Sequence, residues 1–180
     1  MGKILLRLKM VIIREETPQD IDRIREINDA AFSQPNEGRI VDQIRKSCSE
    51  TLSLVGVLDG KIIGHILFSP VEIETQTGII KGMGLAPMAV APDQQNQGIG
   101  IQLVVEGLKI IKERGYPFVI VLGHPNYYPR FGFKPASLYG LKCQWEGVPA
   151  MAFMAIIFDE EKMIGVTGVT RYRDEFNDAM

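Results

Sequence analysis

Apolar positions along this chain change their spacing several times, and each change marks a new element of structure. Val11-Ile12-Ile13-Arg14 reads as a first strand, and Thr17-Pro18-Gln19-Asp20 opens a helix with Thr17 as N-cap and Pro18 at its first position. Ile21, Ile24, Ile27 and Ala31 follow at helical spacing, and a second helix over Glu37 to Ser47 puts Ile40, Val41 and Ile44 on one face. The period then shortens. Leu52 to Leu58 and Lys61 to Phe68 read as two strands joined at Asp59-Gly60, a tight-turn pair. Pro70 breaks or bends the second of these, Val71 to Glu74 continues it, and Thr77-Gly78 turns into a long strand ending at Val90. Gly98 to Arg114 is the clearest helix, with Ile101, Val104, Val105, Leu108 and Ile111 as its apolar face. It stops at Gly115, before the continuous apolar run Phe118 to Leu122, which suits a strand covered on both faces. A short helical turn around Asn126 to Phe131 and a last strand near Ala152 to Phe158 complete one α/β (α+β) domain over residues 10–158. Residues 159–180 read as a tail that packs on the domain or on a partner subunit, through Tyr172 and Phe176.

Composition narrows the function. Lys and Arg number 20 against 22 Asp and Glu, for a net charge of −2, with no concentrated basic stripe. A nucleic-acid surface needs one, so nucleic acid is not an expected partner. The apolar runs fall short of a membrane span, and Met1 to Met10 has neither the long apolar core nor the cleavage site of a signal peptide. A cytoplasmic protein with a domain beginning near Met10 is expected. Cys48 and Cys143 lie far apart, and with only two histidines no metal site is expected.

The chemistry concentrates at Gln95-Asn96-Gln97-Gly98-Ile99-Gly100, where a strand meets the start of the best helix. Unpaired backbone N–H groups and the positive end of a helix dipole favour an anion there, and glycines let a phosphate come close. Gly100 is followed by Ile101-Gln102, which excludes a P-loop, and Leu103 stands where a dinucleotide fingerprint has its third glycine. Taken alone, this segment is an anion site or a bare strand-to-helix turn.

Its surroundings say more. Gln/Arg-x-x-Gly-x-Gly/Ala after an Ala-Val-x-Pro strand end resembles the acyl-CoA signature of the GCN5-related N-acetyltransferases (GNAT), matched here by Ala89-Val90-Ala91-Pro92 and by Gln95, Gly98 and Gly100. The element order from Val11 to Phe158 is similar to that fold, and Tyr127-Tyr128-Pro129-Arg130-Phe131-Gly132-Phe133 resembles its YhbS-type branch. The resemblance implies a mixed, mostly antiparallel sheet flanked by helices and splayed between its fourth and fifth strands. It also implies an acetyl-CoA-dependent N-acetyltransferase acting by direct attack on the thioester, with a primary amine of a small molecule or protein as acceptor. Dimers are common among such proteins, which leaves a homodimer as an open expectation.

By the same resemblance, the pantetheine arm lies in the splay beside Met88, Ala89 and Val90, with a backbone N–H of Met88 or Val90 at the thioester oxygen. The backbone of Gln95, Asn96, Gln97, Gly98, Ile99, Gly100 and Ile101 holds the pyrophosphate, and Asn126 bonds a pantetheine amide. Tyr128, four residues before Gly132, is the candidate acid for the departing thiolate or a residue that only packs on the cofactor; Tyr127 reads as packing. A phenol near pKa 10 and a thiol near 8.5 make the transfer feasible. Arg130 reads equally as a phosphate ligand or as an ordinary exposed or paired arginine. The base stays open among Glu37, on the helix that lines the acceptor pocket, Glu72, His124 and a chain of waters; His65 reads as a core histidine.

Overall fold

The computed structural model describes residues 10–76 and 78–179; the lead-in ahead of Met10 and Thr77 of the expected Thr77-Gly78 turn lie outside the described residues. The elements run β1 (Ile12–Glu15), α1 (Ile21–Phe32), α2 (Asn36–Ser47), β2 (Leu52–Leu58), β3 (Lys61–Thr75) and β4 (Gly78–Val90). After them come α3 (Ile99–Glu113), β5 (Phe118–Leu122), β6 (Lys134–Pro135), β7 (Leu141–Cys143), β8 (Phe153–Ile157) and β9 (Gly168–Arg171). Among the described residues they build one mixed sheet in the order β1-β2-β3-β4-β5-β8-β6. β4 and β5 are parallel, and β9 pairs with β3 on one side and β7 on the other.

Local chemistry explains the joints. Asp59 and Gly60 turn the β2–β3 hairpin with φ of 49° and 76°, the two positive angles that a tight hairpin needs. At the entry to α1, the Asp20 carboxylate accepts the Thr17 backbone N–H at 2.7 Å and the Arg14 guanidinium at 2.6 Å. The Arg14 contact, with the Thr17 bonds behind it, holds the Asp20 carboxyl at about 2. Pro70 does not break β3. It sits where β2 has ended at the Leu52–Phe68 pair and β9 has not yet begun at Glu72–Arg171. That stretch of strand has no neighbour on one side, so the missing N–H costs nothing. Residues 159–179, read from the sequence as a tail, thus supply a strand to the sheet. The helical turn after β5 is a single 3-10 turn, Tyr128–Phe131, started by Pro129 and ended by Gly132 at φ 95°.

The sheet divides the core in two. On one face Ile24, Ile27, Ile40 and Ile44 of α1 and α2 meet Val71, Ile73, Phe118 and Ile120. On the other, Leu103, Val104, Leu108 and Ile111 of α3 meet Ile66, Phe68, Val119 and Val121. The alternation along β5 sends successive side chains to opposite faces. The buried face of α3 is rotated from the expected one: Ile101 and Val105 are exposed, and Leu103 and Gly107 are buried in their place. The Phe68 ring packs on the helix where Gly107 has no side chain.

A Cβ at Gly107 would meet Phe68 Cε2 at 2.3 Å. Gly107→Ala gains up to about 1 kcal/mol of helix propensity but forces a fully buried ring to move, at about 1–3 kcal/mol. The clash wins, so the variant is expected to melt below the wild type in a thermal unfolding scan.

Candidate active site

The pairing of β4 with β5 ends at Leu85 and Val121, although β4 runs on to Val90. Beyond that point the two strands part. The Ala91 N–H donates to Ile63 O at 2.8 Å across the β3 side. In an antiparallel ladder the facing alternates, so the Ala89 N–H also turns to β3 while those of Met88 and Val90 turn into the gap. The Val90 carbonyl faces the same way, and the Gln95 side-chain amide donates to it at 3.1 Å. Pro87, after a cis Ala86-Pro87 bond, has no N–H to offer a strand partner.

A cleft of ≈ 1120 Å³ runs through this gap. On the α3 side its wall is the strand-to-helix loop. Asn96 and Gly98 have positive φ, 61° and 80°, which turns successive backbone groups inward and sets Gly98 as the helix N-cap. The N–H groups of Ile99, Gly100 and Ile101 fall in the first helical turn, where no intrahelical acceptor exists. Gly100 lies under the Tyr127 hydroxyl, so close that a Cβ would stand 2.9 Å from it. Of the expected loop residues, Gln97 alone is off the wall; its amide turns back to the Asp93 carbonyl at 3.5 Å.

The turn after β5 closes the same wall. Tyr128 is buried, edge-on to Tyr127 and Phe133 at 5.1 and 5.7 Å between ring centres. Its ring covers Gly123. Burial, with Tyr127 beside it, pushes the Tyr128 phenol above its ordinary value. Asn126 and His124 are exposed on the rim. Arg130 is also exposed; it stacks 4.6 Å over the Tyr127 ring and donates to the Tyr127 carbonyl at 2.9 Å.

On the α1–α2 side, the wall is apolar and aromatic. Glu37 is half-buried there and accepts the Gln34 amide at 3.0 Å. Facing it are residues that the sequence did not mark as site residues: Trp145, Tyr172 and Phe176. Trp145 stacks on Tyr172 at 5.2 Å, and Phe176 meets Tyr172 edge-on at 5.5 Å. The Tyr172–Phe176 pair, four residues apart, was the signal available; it had been read as docking the tail.

A family model described as an acetyltransferase (GNAT) domain matches residues 12–136, more than half of the chain. The chain belongs to the GNAT acetyltransferase family. It is 36% identical over 168 residues, 93% of this chain and 99% of the relative, to the uncharacterized N-acetyltransferase YhbS of Escherichia coli. The crystal structure of a GNAT N-acetyltransferase (YhbS) from Escherichia coli in complex with CoA superposes with a TM-score of 0.87 at 36% identity, over 94% of this chain and 93% of that one. A GNAT acetyltransferase from Brucella melitensis, in complex with acetyl-CoA, does so at 0.74 and 35% identity, over 93% and 99%. The splayed β4–β5 pair and the mixed sheet are thus the GNAT fold.

One of the candidate bases, Glu72, stands outside this GNAT cleft. Glu72 pairs in the sheet with Lys81 and Arg171. His65 is fully buried, with Nδ1 3.0 Å from the Asn28 amide and Nε2 3.0 Å from the Ser53 hydroxyl. Its neighbour Glu16 is bound by Arg45 at 2.6 Å. Among the described residues no cluster of His, Cys, Asp or Glu could hold a metal, and no helix is long and apolar enough to cross a membrane.

His65 makes the fold acid-sensitive. Burial lowers it from 6.5 to about 4, against the pull of Glu16. The unfolded chain takes up a proton below about 6.5 that the folded chain refuses down to about 4. Stability is therefore complete above the unfolded value and falls as pH drops through this window. Glu16, held low by Arg45 and Ser53 despite its burial, adds a loss in the same direction below its own unfolded value. The melting temperature is expected to fall between pH 7 and pH 4.5, and His65→Gln to flatten the upper part of that fall.

Proposed function

We propose that this protein transfers the acetyl group of acetyl-CoA to a primary amine of a small molecule or protein, by direct attack on the thioester. One observation carries the reading: a single cleft crosses the sheet at the β4–β5 gap, with a helix N-terminus on one side and a carboxylate among apolar side chains on the other. The complexes of the two GNAT relatives with CoA and acetyl-CoA support the donor.

In this reading the backbone of Gln95 to Ile101 holds the pyrophosphate, favoured by the helix dipole. The pantetheine lies along Met88, Ala89 and Val90 as an added strand, with its amide at Asn126. The Met88 or Val90 N–H, fixed in the gap, donates to the thioester oxygen as negative charge builds on it. The amine enters from the α1–α2 face. As the C–N bond forms the C–S bond breaks, the electron pair leaves on sulfur, and sulfur takes the Tyr128 phenol proton. The proton lost by the attacking nitrogen goes to Glu37, directly or through water.

The test is coenzyme A binding by calorimetry, paired with thioester turnover against a panel of amines. Binding with turnover of at least one amine is expected. Binding without turnover of any would make the chain a non-catalytic acyl-CoA-binding module, and no binding would overturn the reading entirely.

A further inference from the structure

The acceptor side of the cleft has an uneven chemistry. Its aromatic surface comes from Trp145, Tyr172, Phe176 and Phe32, with Ile40 beneath them. Among the described lining residues Glu37 is the single acid. The aromatic group is also held rigid. The Trp145 indole N–H donates to Asn177 Oδ1 at 3.2 Å, and Gln144, which donates to the same oxygen at 3.1 Å, accepts the Tyr172 backbone N–H at 2.6 Å. Gly84 of β4 makes room for the Tyr172 ring, since a Cβ there would stand 2.7 Å from its Cε1. The ring thereby reaches over the sheet toward Leu122, at the end of β5 beside the gap.

The Tyr172 side chain is buried, 6% exposed, with its hydroxyl against the Leu122 backbone.

We propose that the acceptor is a monoamine carried on an aromatic or flat apolar body, bound against the cluster of Trp145, Tyr172 and Phe176. This rests on the acetyl-transfer reading above and adds the substrate class. The body lies against the fixed aromatic faces, and the amine head reaches the gap, where the Glu37 carboxylate receives its N–H groups. A polyamine or a lysine-rich peptide carries several positive charges or a polar backbone, and a wall with one carboxylate leaves those groups desolvated and unpaired.

The chain contains one tryptophan, Trp145, so intrinsic fluorescence reports this compartment whether or not turnover occurs. In the full chain with coenzyme A bound, 2-phenylethylamine is expected to change Trp145 emission saturably, at concentrations at least about tenfold below those of n-butylamine or spermidine. In turnover, kcat/KM should favour 2-phenylethylamine over spermidine and over a lysine peptide by about tenfold or more. Trp145→Ala should raise the amine KM about tenfold, leaving the KM for acetyl-CoA within about twofold, while Trp145→Phe keeps most of the affinity.

A preference for spermidine or the peptide with silent Trp145 emission overturns the acceptor class and leaves the acetyltransferase reading standing. Saturable emission with no turnover of any amine does the reverse. An unchanged amine KM in Trp145→Ala overturns the assignment of the compartment.

Discussion

Gly98→Glu is expected to lower affinity for coenzyme A about a hundredfold. Gly98 caps α3 at φ 80°, and nothing stands within 4 Å of where a Cβ would be, so space does not forbid a side chain. Charge does. A carboxylate about 6 Å from a phosphate, at an effective dielectric near 20, costs about 3 kcal/mol. It also cancels part of the helix-end potential that draws the anion. The left-handed backbone adds strain of about 1–2 kcal/mol for most residues, but that falls on stability rather than affinity. Gly98→Asn separates the two, because asparagine tolerates this region and carries no charge. It should bind coenzyme A within a few-fold of the wild type by calorimetry. Wild-type affinity in Gly98→Glu would remove the pyrophosphate from this loop.

The second large effect is expected from Tyr128→Phe: a fall in kcat of about a hundredfold, the lower end for a lost general acid. The KM for acetyl-CoA should stay nearly constant. The ring keeps its contacts with Tyr127, Phe133 and Gly123, so only the proton is removed. Burial raises the phenol above its usual value, which at first sight makes it a poorer match for a thiol. The departing sulfur sheds its charge in the same apolar gap, and desolvation raises its proton affinity as well. The pair therefore stays matched while both are in the cleft. Because the pKa moves up, the acid form persists across neutral pH, and no alkaline limb from Tyr128 should appear below pH 10 in kcat. An unchanged kcat in the variant would leave Tyr128 a packing residue.

Much of this was legible in the residues. The strand-to-helix loop that walls the cleft could be read because its signal is local: a change of period after Val90, glycines at 98 and 100, and a helix behind them. The hairpin turn at Asp59-Gly60 was readable for the same reason. The misphased face of α3 shows the limit of hydropathy. Gly107 looks neutral on any scale, yet it is buried under Phe68, whereas Ile101 is apolar and lines the cleft. The aromatic wall of the cleft was invisible for another reason. Glu37 and Tyr172 are far apart in sequence, and the tail reaches the site only because β9 continues the edge that β2 vacates beyond Phe68. Pro70 looked like a break or bend in that strand, when it marks the free stretch between two partners.

The sheet keeps its two faces chemically separate, with the Gln95–Ile101 loop and α3 on one and α1, α2 and the tail on the other. They meet only where β4 and β5 part. The aromatic wall is built from α1, α2 and the chain after Leu141, away from the Gln95–Ile101 loop. A lineage built this way can remodel one side of the cleft by drift in α1, α2 and its last few dozen residues while the Gln95–Ile101 side is inherited intact.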